Sequence, residues 1–265
     1  MGSTAVRRTA LAASAAALAL LATACGGSSD GDSKGGDKKT TQADKTAPAA
    51  PAKALSAAEL EKAVLTQADV KSGKILPALP AEDDSAQDLV KADDETCAPL
   101  AYLQGAGYVG KPAAKVKRVW VGDAKKPAAG AGADDKLLAS LDVEKSGETL
   151  ASYADGGAER VMKDLKAAAQ KCAGGFSYTV GGEKAKIAKV VTTQEPGGAD
   201  EALALTLTSL NDEGIKAPTK VVVVRKGATL AYFPVMNAAS FGSGKDFPFP
   251  TQIVDAQLAK LAKLG

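Results

Sequence analysis

The side chains from which chemistry could be built here are 31 carboxylates, the lysines and three cysteines, with no histidine anywhere in the 265 residues. Without histidine there is no Ser-His-Asp or Cys-His catalysis and none of the usual zinc ligand sets. The Ser-x-x-Lys arrangement is missing too. Paired carboxylates or an activated lysine remain, and neither is recognisable without a fold. Gly105-Ala106-Gly107-Tyr108-Val109-Gly110 has the spacing of a dinucleotide loop, and with Lys111 most of that of a phosphate loop. Both chemistries need a strand before the glycines and a helix starting within them, whose free amides hold phosphate. Here Pro112 occupies the place of the magnesium-binding hydroxyl, and a strand-like run follows. The glycines therefore read as a flexible loop. No catalytic residue, metal site or cofactor is assigned.

Cys25 is the one cysteine whose surroundings name a reaction. Before it stand Arg7-Arg8 and an uncharged stretch from Thr9 to Ala24; after it comes Gly26-Gly27-Ser28-Ser29. That order makes residues 1–24 a secretory signal whose cleavage leaves Cys25 as the first mature residue. Leu21-Ala22-Thr23-Ala24-Cys25 resembles the bacterial lipobox, where the thiol is acylated before the signal is cut. The usual leucine three places before the cysteine is Ala22 here, with Leu21 one further back. The alternatives are a transmembrane helix, for which the run is too short and too rich in alanine, or an ordinary cleaved signal. Arg7-Arg8 also fits twin-arginine export in part. The expected address is the outer face of the cytoplasmic membrane, with the protein held there by lipid.

Removing the signal changes the charge. The formal +2 includes Arg7 and Arg8, and residues 1–24 contain no acid, so the mature chain balances 31 basic against 31 acidic side chains. Nothing in that total points to nucleic acid or to an anionic membrane face. Giving Cys25 to lipid leaves Cys97 and Cys172, which in an oxidising compartment most simply form one disulfide; two buried free thiols are the alternative.

The elements that must position these groups follow from the patterning. Residues 26–54 hold no large apolar side chain and cannot offset their ordering entropy, so they read as a tether with a mean span of about 30 Å. Residues 55–265 suit one domain. Ser56 to Glu59 is a capping box opening a helix that carries Leu60, Val64 and Leu65. Residues 82–95 are acidic and read as a solvated loop, since no calcium-loop pattern is present. A short helix carries Cys97, Leu100 and Leu103. Lys115–Val121 and Leu137–Val143 are predicted strands, the second by alternation, with a mobile loop from Gly122 to Asp135 between them. Ala158, Val161, Leu165, Ala168 and Cys172 recur at helical spacing on one buried face. From Phe176, five strand-like runs separated by short turns predict an antiparallel meander, and a last helix covers Thr251–Leu264. The expectation is an α+β domain with helices packed on one face of an antiparallel sheet. Trp120, Phe241, Phe247 and Phe249 are candidates for an aromatic ligand pocket, and the segment Asn237–Pro250, which contains three of the five phenylalanines, for a binding edge.

The order of elements is also similar to that of a known family. Leu65 to Asp69, the Cys97 helix, the helix ending at Cys172, the Phe176-Ser177-Tyr178 strand, the Asp200-Glu201 turn and Val221 to Gly227 carry the likeness. So does the C-terminal Leu261-Ala262-Lys263-Leu264. Residues 55–264 resemble actinobacterial lipoproteins related to the extracellular sensor domain of PknH-type serine/threonine kinases. That resemblance implies an α+β sensor domain with a cleft for an unknown ligand, and it supplies no catalytic residues. The chain departs from it in lacking a kinase segment and in having one cysteine pair where the kinase sensor domain has two.

Three readings of function follow. The first is a lipid-anchored extracytoplasmic domain that binds a small molecule or an envelope protein without catalysis. The second is a carrier of lipid or another apolar molecule, which needs a large apolar cavity under the sheet. The third is an envelope hydrolase, which needs two convergent carboxylates with one pKa raised.

Overall fold

Ser56 opens the first helix as the capping box requires. Its hydroxyl accepts the Glu59 amide while the Glu59 carboxylate accepts the Ser56 amide, and α1 runs Ala57–Ala63. The computed structural model describes residues 52–81, 84, 87–210 and 214–264. Cys25, the signal segment and the tether up to residue 51 lie outside the described residues. One compact unit spans Pro48–Gly265 and contains every element below, both cores and the disulfide.

After α1 come β1 (Lys74–Leu76), β2 (Val90–Ala92), α2 (Ala98–Ala101), β3 (Ala114–Val121), α3 (Ala133–Leu141), β4 (Glu144–Ser152) and α4 (Gly157–Lys171). Then follow β5 (Phe176–Val180), β6 (Glu183–Thr192), β7 (Glu201–Leu210), β8 (Lys216–Lys226), β9 (Thr229–Asn237), α5 (Ala238–Ser243) and α6 (Thr251–Leu261). The nine strands form one antiparallel sheet in the order β1-β3-β4-β9-β8-β7-β6-β5-β2. The expected meander is β5 to β9. One of its two-residue turns is Gly181-Gly182 between β5 and β6, where both residues have positive φ (57° and 91°), the geometry of a type I′ hairpin.

The sheet is α+β as expected, but its helices lie on both faces. Successive side chains of Val221–Val224 alternate between two separate cores. One core holds Val221 and Val223 with Leu203, Leu205, Leu207 and the apolar face of α4. The other holds Val222 and Val224 with Leu60 of α1, Val64 just after it, and Val254 and Leu258 of α6. Four consecutive valines are what a strand buried on both sides requires.

Three further elements depart from the sequence expectation. Leu137–Leu141 is not strand but the end of α3. Asp134 and Asp135 sit in its first turn, where carboxylates favour a helix, and Leu137, Leu138 and Leu141 stand exposed. β4 carries polar residues at buried positions (Ser146, Glu148, Thr149, Ser152) and so shows no apolar alternation. Within the expected acidic loop, β2 extends the sheet edge by pairing with β5.

Candidate functional site

On the face that carries α6, β7 contributes Ala202, Ala204 and Thr206, and β8 contributes Lys220, Val222 and Val224. Small side chains on β7 keep the floor low. Beyond the edge of α6 the result is a groove of about 480 Å³. Thr193–Gly197 form one wall, anchored where the Thr193 amide donates to the Ala204 carbonyl at 2.9 Å. Phe249, Thr251 and Val254 form the other.

Lys220 stands at the base with a fixed direction. Its ammonium lies 3.0 Å from an Asp246 carboxylate oxygen and 5.4 Å from the centre of the Phe247 ring. The groove thus offers an apolar floor, threonine hydroxyls (Thr193, Thr206, Thr251), an oriented cation and the exposed Glu195 carboxylate. That chemistry suits an amphipathic molecule with an acidic or hydrogen-bonding end. Two other recesses differ. One of about 630 Å³ is walled by Ala52–Leu55, the entering chain itself, and one of about 510 Å³ lies over Lys111, Asp155, Arg160 and Asp164.

The structure distributes the four aromatic candidates rather than gathering them. Phe249 lines the groove, and Phe247 is buried just behind it under Lys220. Trp120 is a core residue, its indole N–H donating to the Ser72 carbonyl at 3.0 Å. Phe241 is exposed on α5. Sequence reasoning missed the floor, Ala204, Thr206, Lys220 and Val222. Its signal is the run Ala202-Leu203-Ala204-Leu205-Thr206-Leu207-Thr208, where leucines alternate with small residues.

The glycine loop has a structural explanation. The Val109 amide donates to the Tyr232 hydroxyl at 3.4 Å, and the Tyr153 hydroxyl donates to the Val109 carbonyl at 2.7 Å. The two phenols are themselves 2.7 Å apart, so Tyr232 donates to Tyr153 and the circuit closes. Thr149 Oγ1 donates to the Ala106 carbonyl, and Ala106 packs so closely on Gly147 of β4 that a Cβ there would lie 2.9 Å from its methyl. Tyr153→Phe should cost about 1–3 kcal/mol by leaving the Val109 carbonyl without its donor. Urea unfolding checks this, and an unchanged midpoint would refute the clamp.

A pair of carboxylates does have divergent acidities. Glu148, in β4 on the α1/α6 face, is 1 % exposed and neither of its oxygens has a partner. Burial pushes its pKa up to about 8, with Arg118 and Lys260 pulling the other way and Asp69 adding to the rise. At Asp69 burial also raises the pKa, but hydrogen bonds from Lys260 (2.7 Å) and Thr66 outweigh it and the net shift is downward. This is the electrostatic signature of acid–base work. It lacks the access such work needs, because Glu148 lines none of the three recesses. Among the described residues no group of three or more Cys, Asp or Glu is placed to hold a metal ion, and no helix is long and apolar enough to cross a membrane.

No family model matches the chain, and no curated protein does. A similar solved structure is the extracellular domain of PknH from Mycobacterium tuberculosis, at 10% identity and a TM-score of 0.43, over 80% of this chain and 97% of that one. A likeness at this level assigns neither a ligand nor an activity.

Proposed function

We propose that the chain is a lipid-anchored extracytoplasmic binding domain that receives an amphipathic ligand, or a side chain of an envelope protein, in the groove over β7 and β8 without transforming it. The observation that carries the reading is the groove itself. Its floor of small residues is backed by a lysine held in one direction by Asp246 and Phe247. Its volume lies in the range of small-molecule sites, roughly 300–1,000 Å³. The signal segment before Cys25 and the Cys97–Cys172 disulfide support an oxidising compartment outside the cytoplasm. A lipid carrier needs an apolar cavity beneath the sheet, whereas here the space on either side of the central strands is occupied by a core.

The test is native mass spectrometry of the protein recovered from its host, beside a Thr206→Trp variant whose indole fills the groove from a half-buried floor position. The wild type should carry a bound species that the variant has lost while keeping its thermal transition. An adduct retained by the variant would place binding elsewhere.

A further inference from the structure

The balanced charge of the mature chain conceals a one-sided distribution. α1 and α6 cover β3, β4, β9, β8 and the Ala202–Ala204 end of β7 on their face of the sheet, and leave β2, β5, β6 and the rest of β7 on that face uncovered. Register fixes which side chains stand there. Thr206 pairs with Lys220 and Val191, Thr208 with Lys189, Ser177 with Lys186, and Thr179 with both Lys184 and Lys91. Lys216, opposite Leu210, belongs to the same face.

Lys91, Lys184, Lys186, Lys189 and Lys216 are all exposed and form no ion pair among the described residues. No Asp or Glu of these strands shares the face. Carboxylates stand at its border: Asp246, paired with Lys220, Asp93, whose amide donates to the Ser177 carbonyl, and Glu195 on the groove wall. Between the lysines lie hydroxyls, Ser177, Thr179, Thr206 and Thr208, with the apolar Val191 and Leu210 and no aromatic side chain. With strands about 4.8 Å apart and about 3.3 Å per residue along them, the five ammonium groups spread over an area of about 19 by 16 Å.

We infer that this bare sheet face docks the domain flat against an anionic phospholipid bilayer. Its charges form a two-dimensional array across five strands, complementary to a plane of headgroup phosphates. A single polyanionic chain would call for one line of cations, and the absence of aromatic side chains leaves bases or sugar rings nothing to stack on. The inference takes from the proposed function only that a membrane is at hand. Each lysine near such a surface contributes about 1 kcal/mol, and a tether holding the domain beside the bilayer raises the effective concentration of the contact.

The test uses the chain from residue 25 onward with Cys25→Ser, so that no lipid contributes and failure here is separable from failure of the anchor. Residues 48–265 form a compact unit of their own, so this chain keeps the whole fold. It is floated with vesicles of phosphatidylcholine alone or with 30 mol% phosphatidylglycerol. Binding should appear only with the anionic vesicles and weaken with added salt. It should fall roughly 100-fold in the K184Q/K186Q/K189Q variant. A K111Q/K163Q/K171Q variant, equal in net charge but altered elsewhere, should bind as the wild type does. No binding to anionic vesicles, equal losses in both variants, or preference for soluble polyphosphate over the vesicles would each overturn the proposal.

Discussion

Glu148→Gln should abolish a loss of stability that the wild-type protein shows as pH rises from about 4.5 to about 8. The folded carboxyl has its pKa raised to about 8 by burial, against an ordinary value of 4.5. Below pH 4.5 both folded and unfolded chains hold the proton and the group costs nothing. Between the two values the unfolded chain releases its proton while the folded one keeps it, so stability falls with pH, and above 8 the loss is complete. At about 1.4 kcal/mol per unit, the whole span is worth about 3–5 kcal/mol. Glutamine cannot titrate, so the difference between wild-type and variant unfolding free energies should drift by that amount across the window. Parallel profiles would mean that Glu148 reaches water or a cation that the structure does not give it.

The second large effect belongs to the disulfide. Cys97, before α2, and Cys172, at the end of α4, are bonded with their Cα atoms 5.9 Å apart, and both side chains are buried in the same core. The bond joins residues 75 positions apart in the chain. In the chain-entropy account, opening it frees the unfolded state by about 4 kcal/mol. Cys97→Ser should therefore lower the melting temperature by roughly 10 °C in a domain of this size. Reductant should destabilise the wild type and leave the variant where it is. A variant that melts with the wild type would show that the packing of α2 on α4 needs no covalent help.

Much of the fold was legible because pattern and burial coincide. The α4 stripe ends on the buried Cys172, the Ser56–Glu59 box opens α1, and the turns from Gly181 onward separate the strands of the meander. The misreadings have definite causes. Leu137, Ala139 and Leu141 alternate as a strand would, yet Leu137, Leu138 and Leu141 also share a helical face, and the aspartates before them decide for α3. β4 was hidden because its inward side chains are polar, Glu148 above all. The second helical layer was foreshadowed by Val221–Val224, whose unbroken apolarity leaves no side for water.

The site was less legible for a different reason. A groove floor is a property of neighbouring strands, and register cannot be read from one segment at a time. Thr206 and Lys220 meet only because β7 and β8 pair at that offset. The lysine face is hidden in the same way, since a net charge sums over directions that only the sheet separates. Aromaticity was a poor guide: Phe249 reaches the groove, while Trp120 and Phe247 serve the core.

The claim that the groove over β7 and β8 is where this protein meets its ligand can be tested in the living envelope by placing a photo-reactive phenylalanine at position 249 and, separately, at position 241. Phe249 lines the groove and Phe241 is exposed away from it, so both report on accessible aromatic positions. Illumination should yield a discrete adduct of defined mass from position 249 and none from position 241. Adduct at 241 alone, or equal yields at both, would contradict the assignment of the groove.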